Sequence, residues 1–231
     1  MYNLLTLIVG MPSSGKTTSF RNLGSETVLY NTERKMLPFK NKGIKVVTTN
    51  SVNDLINKLN CFRGNSYPDI QNIIIDSFSD YSDMILAECK AKYKGFEVYN
   101  QYNSKVYELF QSLKAIGNRF IFLTGHPEIL QDADGNTIFR MAIRGKEYEG
   151  KVEKFATCVF YSDPKRKQNG KGVDYLFLTN SDGRGHPAKS PMGMYEQQLH
   201  IENDTQKIIE VYKKFYAQEI QVPVMNATSA A

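Results

Sequence analysis

The sequence predicts an α/β domain built on a mainly parallel central sheet, with helices on both faces and antiparallel strands near the C-terminus. Three observations carry this. Short, near-continuously apolar runs alternate with amphipathic helical stretches up to His126, the pattern of strands buried on both faces. The first run leads straight into a glycine-bearing loop, Gly10-Met11-Pro12-Ser13-Ser14-Gly15-Lys16-Thr17, which is a complete G-x-x-x-x-G-K-[ST] match. Beyond His126 the chain changes to turn signals and short strands.

In chain order, Leu4 to Val9 reads as the first buried strand and Lys16 to Leu23 as a helix behind the loop, ended by Gly24. Thr27 to Tyr30 and Lys45 to Thr48 are the next two strands. Ser51 is an N-cap for a helix presenting Leu55, Ile56, Leu59 and Phe62 on one face. Ile70 to Ile75 is an apolar strand ending at Asp76. Two amphipathic helices follow, Asp80 to Lys92 and Val98 to Ile116, then a buried strand from Arg119 to Leu123 that ends in Thr124-Gly125-His126-Pro127. The Asp134-Gly135 turn between Glu128–Leu130 and Thr137–Met141 signals a hairpin. A short helix over Glu147 to Phe155, a strand over Thr157 to Tyr161, a basic turn, a strand over Val173 to Thr179 and a helix over Asp204 to Gln218 complete the pattern. Residues 1–220 are expected to form one domain and 221–231 a flexible tail.

The glycine loop carries the clearest chemistry. Glycines permit backbone turns and approaches that a Cβ would block, so that successive N–H groups can point at phosphate oxygens. Gly10, Met11, Pro12, Ser13, Ser14, Gly15, Lys16, Thr17 and Thr18 are therefore the expected cradle for a nucleoside triphosphate, here taken as ATP. Lys16 would supply charge to the β/γ-phosphates and Thr17 a hydroxyl ligand for Mg²⁺. Asp76, delivered by Ile73-Ile74-Ile75 at the C-terminal end of its strand, is the second metal anchor, a Walker B pattern. Hydrolysis also needs a carboxylate to orient water. Glu33, just past the second strand, is the leading candidate, with Asp80 and Asp83 as rivals; the other reading is a loop glutamate paired with Arg34 or Lys35. Thr124 and His126 end the strand expected beside the phosphate-loop strand, where a polar group can sense the terminal phosphate. Arg184 and Lys189, in a glycine-rich segment, are candidates for neutralising charge from a neighbouring subunit or are solvent-facing loop charges. Lys165, Arg166, Lys167 and Lys171 form a basic turn that either contacts nucleic-acid phosphates or solubilises a hairpin tip.

Composition sets the frame. The chain has 231 residues, 41% apolar and 23% charged, which fits one sizeable soluble α/β domain. No apolar run reaches the roughly 20 residues needed to span a bilayer, and the first strand is expected to begin too early for a removable signal peptide. Cys61, Cys89 and Cys158 lack C-x-x-C spacing and read as reduced packing residues. The net charge of +5 is compatible with a polyanionic partner.

Taken in order, these motifs resemble the RecA-like ATPase core, and more narrowly the small phage-encoded RecA-like proteins of single-strand annealing and recombination, the Sak-type group. The likeness rests on the loop from Gly10 to Thr17, Asn31-Thr32-Glu33, Ile73-Ile74-Ile75-Asp76-Ser77, Thr124-Gly125-His126 and the segment at 182 to 190. It implies that Glu33 activates water, that Asp76-Ser77 closes the metal site, and that His126 couples the γ-phosphate to a DNA-binding loop. It further implies Mg·ATP bound at subunit interfaces of a ring or filament, single-stranded DNA as partner, and a location in the cytoplasm of an infected bacterial cell. RecA-like recombinases usually carry glutamine where His126 stands. Bacterial ones place paired lysines on the strand matching Leu176 to Ser181, a role left here to Arg184 or Lys189. Two other functions fit a phosphate loop: a small-molecule kinase, for which no R-x-x-x-R lid is evident, and a non-catalytic nucleotide-dependent recombination mediator.

Overall fold

Leu4–Val9 forms β1, which lies inside a mixed sheet with hydrogen-bonded neighbours on both sides. The computed structural model describes residues 4–49, 51–63 and 66–217, and the expected tail at 221–231 lies outside the described residues. After β1 come β2 (Thr27–Asn31), β3 (Lys45–Thr48), α1 (Val52–Asn60), β4 (Asn72–Asp76), α2 (Phe78–Lys92), α3 (Phe96–Ala115) and β5 (Phe120–Gly125). A hairpin of β6 (Pro127–Gln131) and β7 (Thr137–Met141) follows. The chain then makes β8 (Cys158–Ser162), a two-stranded ribbon of β9 (Lys165–Arg166) and β10 (Val173–Asp174), β11 (Leu176–Leu178), β12 (His200–Glu202) and α4 (Thr205–Tyr216).

Among the described residues the sheet order is β12-β11-β8-β1-β5-β4-β2-β3. Strands β8 through β3 in that order are parallel, while β11 and β12 are antiparallel. This is the expected α/β fold class, with a mainly parallel sheet, helices on both faces and antiparallel C-terminal strands. Side-chain alternation divides the core between the two faces. Leu5, Leu7 and Val9 of β1 join Ile73, Ile75, Ile121 and Leu123 against α1, α2 and α3. Ile8, Ile74 and Phe122 point the other way, against Phe20, Leu23 and the Ile208, Ile209 and Tyr212 stripe of α4.

Several local expectations need correction. The helix over Lys16 to Leu23 is only a 3₁₀ turn, Thr17–Phe20. Two threonines and a serine open it, and Ser19 Oγ bonds back to Lys16 O at 2.7 Å, a local bond that competes with regular helix. The helix over Glu147 to Phe155 shrinks to a 3₁₀ turn at Val152–Phe155. The strand over Val173 to Thr179 is broken at Tyr175, with β10 pairing in the ribbon and β11 in the main sheet. The three-residue strand β12 had no sequence signal. Ser51 does cap α1, accepting from Asp54 N–H. No helix among the described residues is long and apolar enough to cross a membrane.

Candidate nucleotide site

At the end of β1 the chain turns directly into the glycine loop. Ser14 N–H donates to Met11 O at 3.2 Å, and Ser162 Oγ donates to Ser14 O at 2.6 Å, tying the loop to the end of β8. The two glycines are required for different reasons. A Cβ on Gly10 would stand 2.6 Å from Ser14 Oγ and 2.7 Å from Ser162 Cβ, so the close approach excludes any side chain. Gly15 has φ +94°, a conformation L side chains rarely adopt.

Lys16 folds back over this loop. Its Nζ donates to Gly10 O at 2.7 Å and Met11 O at 3.0 Å, and lies 3.4 Å from His126 Nδ1. Burial pulls the ammonium down to about 8, with Asp76 and Glu33 acting in the opposite direction. His126 is held by its own N–H to Ser79 Oγ at 2.9 Å. Burial and then the nearby Lys16 charge lower its pKa, favouring the neutral imidazole.

Asp76 ends β4, with β5 between it and β1. Thr17 Oγ1 donates to its Oδ2 at 2.8 Å, and Thr124 Oγ1 donates to its Oδ1. Burial raises the carboxyl pKa and the two hydroxyl bonds oppose that rise. The Asp76–Ser77 peptide is cis. The loop that follows β2 is fastened to this corner, since Thr32 N–H donates to Asp76 O at 2.9 Å and Thr32 Oγ1 to Ser77 O at 2.7 Å. That fastening places Glu33 at the cleft, where its Oε2 lies 2.8 Å from Lys35 Nζ. Glu33 thus pairs with Lys35 and also lines the cleft.

The cleft has a volume of about 510 Å³, within the range of nucleotide-sized sites. Pro12 to Thr18 form its floor, and Glu33, Lys35, Pro38, His126 and Tyr175 stand around it. A recess of about 180 Å³ adjoins it, bounded in part by Thr17, Asn31, Glu33 and Asp76. The residues fit a magnesium–triphosphate. A lysine with backbone carbonyl partners can turn to phosphate, and a threonine hydroxyl and buried carboxylate already converge. Bound between Thr17 and Asp76, a divalent cation would neutralise phosphate charge. Lys16 can bind a terminal phosphate as a point charge. Glu33 can accept a proton or hydrogen bond from water at the recess, and the His126 ring N–H can donate to a phosphate oxygen.

Other expected residues lie elsewhere. Asp83 pairs with Arg144, Nε to Oδ1 at 2.6 Å, and Asp80 takes the Ser77 hydroxyl at the start of α2; neither lines the cleft. Arg184 and Lys189 are exposed and also do not line it. Their segment is fixed to the hairpin, with Phe139 N–H donating to Gly185 O at 2.8 Å and His186 stacked on Phe139 and tilted against Tyr161. Lys189 bridges Val159 through backbone bonds of 2.9 Å. Lys165, Arg166, Lys167 and Lys171 are all exposed on the β9–β10 ribbon and its turn. Lys165 pairs with Asp163 at 3.2 Å and Lys167 with Asp174 at 3.5 Å. Sequence reasoning did not find Pro38 or Tyr175. Lys35 entered it only as a possible partner of Glu33.

The fold and this site define a P-loop ATPase. Residues 3–192 match the AAA domain family, and the chain belongs to it. Comparison with curated proteins finds no match. Among solved structures, this chain is similar to a KaiC-like protein from the hyperthermophilic archaeon Pyrococcus horikoshii OT3. The two share 16% identity and a TM-score of 0.44 over 76% of this chain and 77% of that one.

Proposed function

We propose that this chain is a Mg²⁺-dependent ATPase stimulated by single-stranded DNA, acting in phage recombination or annealing in the cytoplasm of an infected cell. Residues 1–220 act as one ATPase domain, followed by the tail. Thr17 and Asp76 hold the metal, Gly10 to Thr18 the triphosphate, and Glu33 orients the attacking water. His126 senses the γ-phosphate beside Lys16. Arg184 and Lys189 are exposed and outside their own cleft, which suits a role in the site of the next subunit of a ring or filament.

The observation that carries the DNA assignment is the position of the basic ribbon. Lys165 and Arg166 stand on the ribbon and Lys167 and Lys171 on its turn; the ribbon ends at Asp174, and the next residue, Tyr175, lines the nucleotide cleft. Phosphates bound at Lys165, which pairs with Asp174, would lie beside the wall of the nucleotide cleft. The test is phosphate release as single-stranded oligonucleotide is titrated at several salt concentrations. The expected result is stimulation that weakens as salt rises. A rate indifferent to DNA, with no salt-sensitive binding, removes the reading.

A further inference from the structure

We infer that Tyr175 is the platform on which the nucleobase stacks, and that it makes the site select purine over pyrimidine triphosphates. The inference rests on the P-loop ATPase reading and adds to it the end of the ligand that the motifs leave unassigned.

The direction of the ligand follows from the sheet. The glycine loop leaves β1, and every group suited to metal, water or terminal phosphate comes from one side of that strand. His126 follows β5, Asp76 ends β4 and Glu33 follows β2. A triphosphate lying over Lys16 with its reactive end toward those groups must point its nucleoside to the other side, where β8, β11 and β12 lie. Tyr175 immediately precedes β11 and lines the same cleft. Among the described lining residues, it alone carries a six-membered aromatic ring.

The ring is positioned for this use. A Cβ built on Gly15 would stand 2.9 Å from Tyr175 Cδ1 and 3.5 Å from Cγ, so the ring rests on the loop backbone where phosphate binds. Its backbone is anchored on all sides: Tyr175 O accepts from Asn203 N–H at 3.1 Å, Asp174 pairs with Lys165, and Leu176 pairs with Glu202. Yet the residue is 46% exposed. A large aromatic side chain on an anchored backbone at a cleft wall, left half open, offers a stacking face at little entropic cost. Stacking recognises the extent of a π-face and not the base edge. The expected preference is therefore for adenine and guanine alike over cytosine and uracil.

The test is titration calorimetry with Mg²⁺ and ATP, GTP, CTP or inorganic tripolyphosphate, on the full chain and on its Tyr175→Ala and Tyr175→Phe variants. Wild type should bind ATP and GTP within a few-fold of each other and CTP several-fold more weakly. Tyr175→Ala should lose roughly tenfold or more in ATP affinity while binding tripolyphosphate unchanged, and Tyr175→Phe should keep ATP affinity. Equal binding of CTP and ATP by wild type overturns the inference whatever the variants do. So does equal loss of ATP and tripolyphosphate in Tyr175→Ala, which would make the ring a mere support for Gly15. Unchanged ATP affinity with weakened oligo-dT binding in that variant also overturns it, in favour of a stacked DNA base. Wild type that binds neither ATP nor tripolyphosphate defeats the ATPase reading itself.

Discussion

Lys35 Nζ lies 2.8 Å from Glu33 Oε2, two residues along one loop, with the lysine 77% and the glutamate 18% exposed. An ion pair with one partner so open contributes little to stability, so Lys35 can release Glu33 at small cost. Replacing Glu33 by Gln should leave the melting temperature and nucleotide binding near wild type. If Glu33 orients the water, the same change should lower phosphate release by roughly 100-fold or more. A calorimetric titration beside a phosphate-release assay separates the two effects. Unimpaired turnover in Glu33→Gln would transfer the role to another group.

The corner made by Thr17, Asp76 and Thr124 supports a second prediction. Asp76 is 6% exposed and its carboxylate accepts from two hydroxyls. A divalent cation would add the countercharge that burial makes valuable. Asp76→Asn should therefore weaken Mg²⁺ affinity by roughly tenfold or more, while metal-free nucleotide binding through Lys16 changes much less. Nucleotide titrations with Mg²⁺ and with EDTA measure both. A variant that keeps the wild-type difference between the two conditions shows that Asp76 does not serve the metal.

What the sequence disclosed depended on how local the cause was. The glycine loop, Asp76 at the end of an apolar strand and Glu33 past β2 were legible because strand, turn and chemistry are contiguous there. The central strands were legible because β1, β4 and β5 are apolar on both faces. The 3₁₀ turn after Lys16 was not, because Thr17 and Thr18 read as part of the phosphate cradle and Ser19 as an ordinary residue of the helix behind it. Tyr175 was hidden for a different reason. Its contact with Gly15 spans 160 positions (175 − 15), and it looked like one more residue of a single strand. The pinning of Arg184's segment to the β6–β7 hairpin was equally non-local.

Arg119 provides a test of the fold independent of the site. It is 6% exposed, and its guanidinium donates to the carbonyls of Ile70, Phe62, Gly117, Ser66 and Tyr67 while lying over the Phe62 ring. Burial lowers its pKa, yet its planar fork gathers the start of β4, the end of α1's loop and the start of β5. Lysine has three donors on one atom and cannot reproduce that span. Arg119→Met should destabilise by about 3 kcal/mol, lowering the melting temperature by roughly 6–12 °C. Arg119→Lys should recover only a small part. Thermal unfolding measures this, and a Met variant as stable as wild type would show that water replaces the guanidinium without penalty.

Glu128 carries the pH prediction. It lies on β6 opposite Arg140, with Oε1 buried and lacking a hydrogen-bond partner among the described residues. Burial, and then the charges of Glu149 and Glu153, push its carboxyl up to about 7 from an ordinary 4.5. Because the folded pKa lies above the unfolded one, this group favours folding fully below about pH 4.5. That contribution is lost as pH rises to about 7. Glutamine has the shape of the protonated acid and does not titrate. Glu128→Gln should match wild type near pH 4 and be more stable at pH 8. With allowance for solvent screening, the gain should be on the order of 1–2 kcal/mol. Denaturant unfolding of both proteins across this range reads the difference directly, since carboxylates not coupled to Glu128 cancel. A difference that does not change with pH would mean that Glu128 titrates alike in the folded and unfolded chain, with its charge met by Arg140 or Arg144.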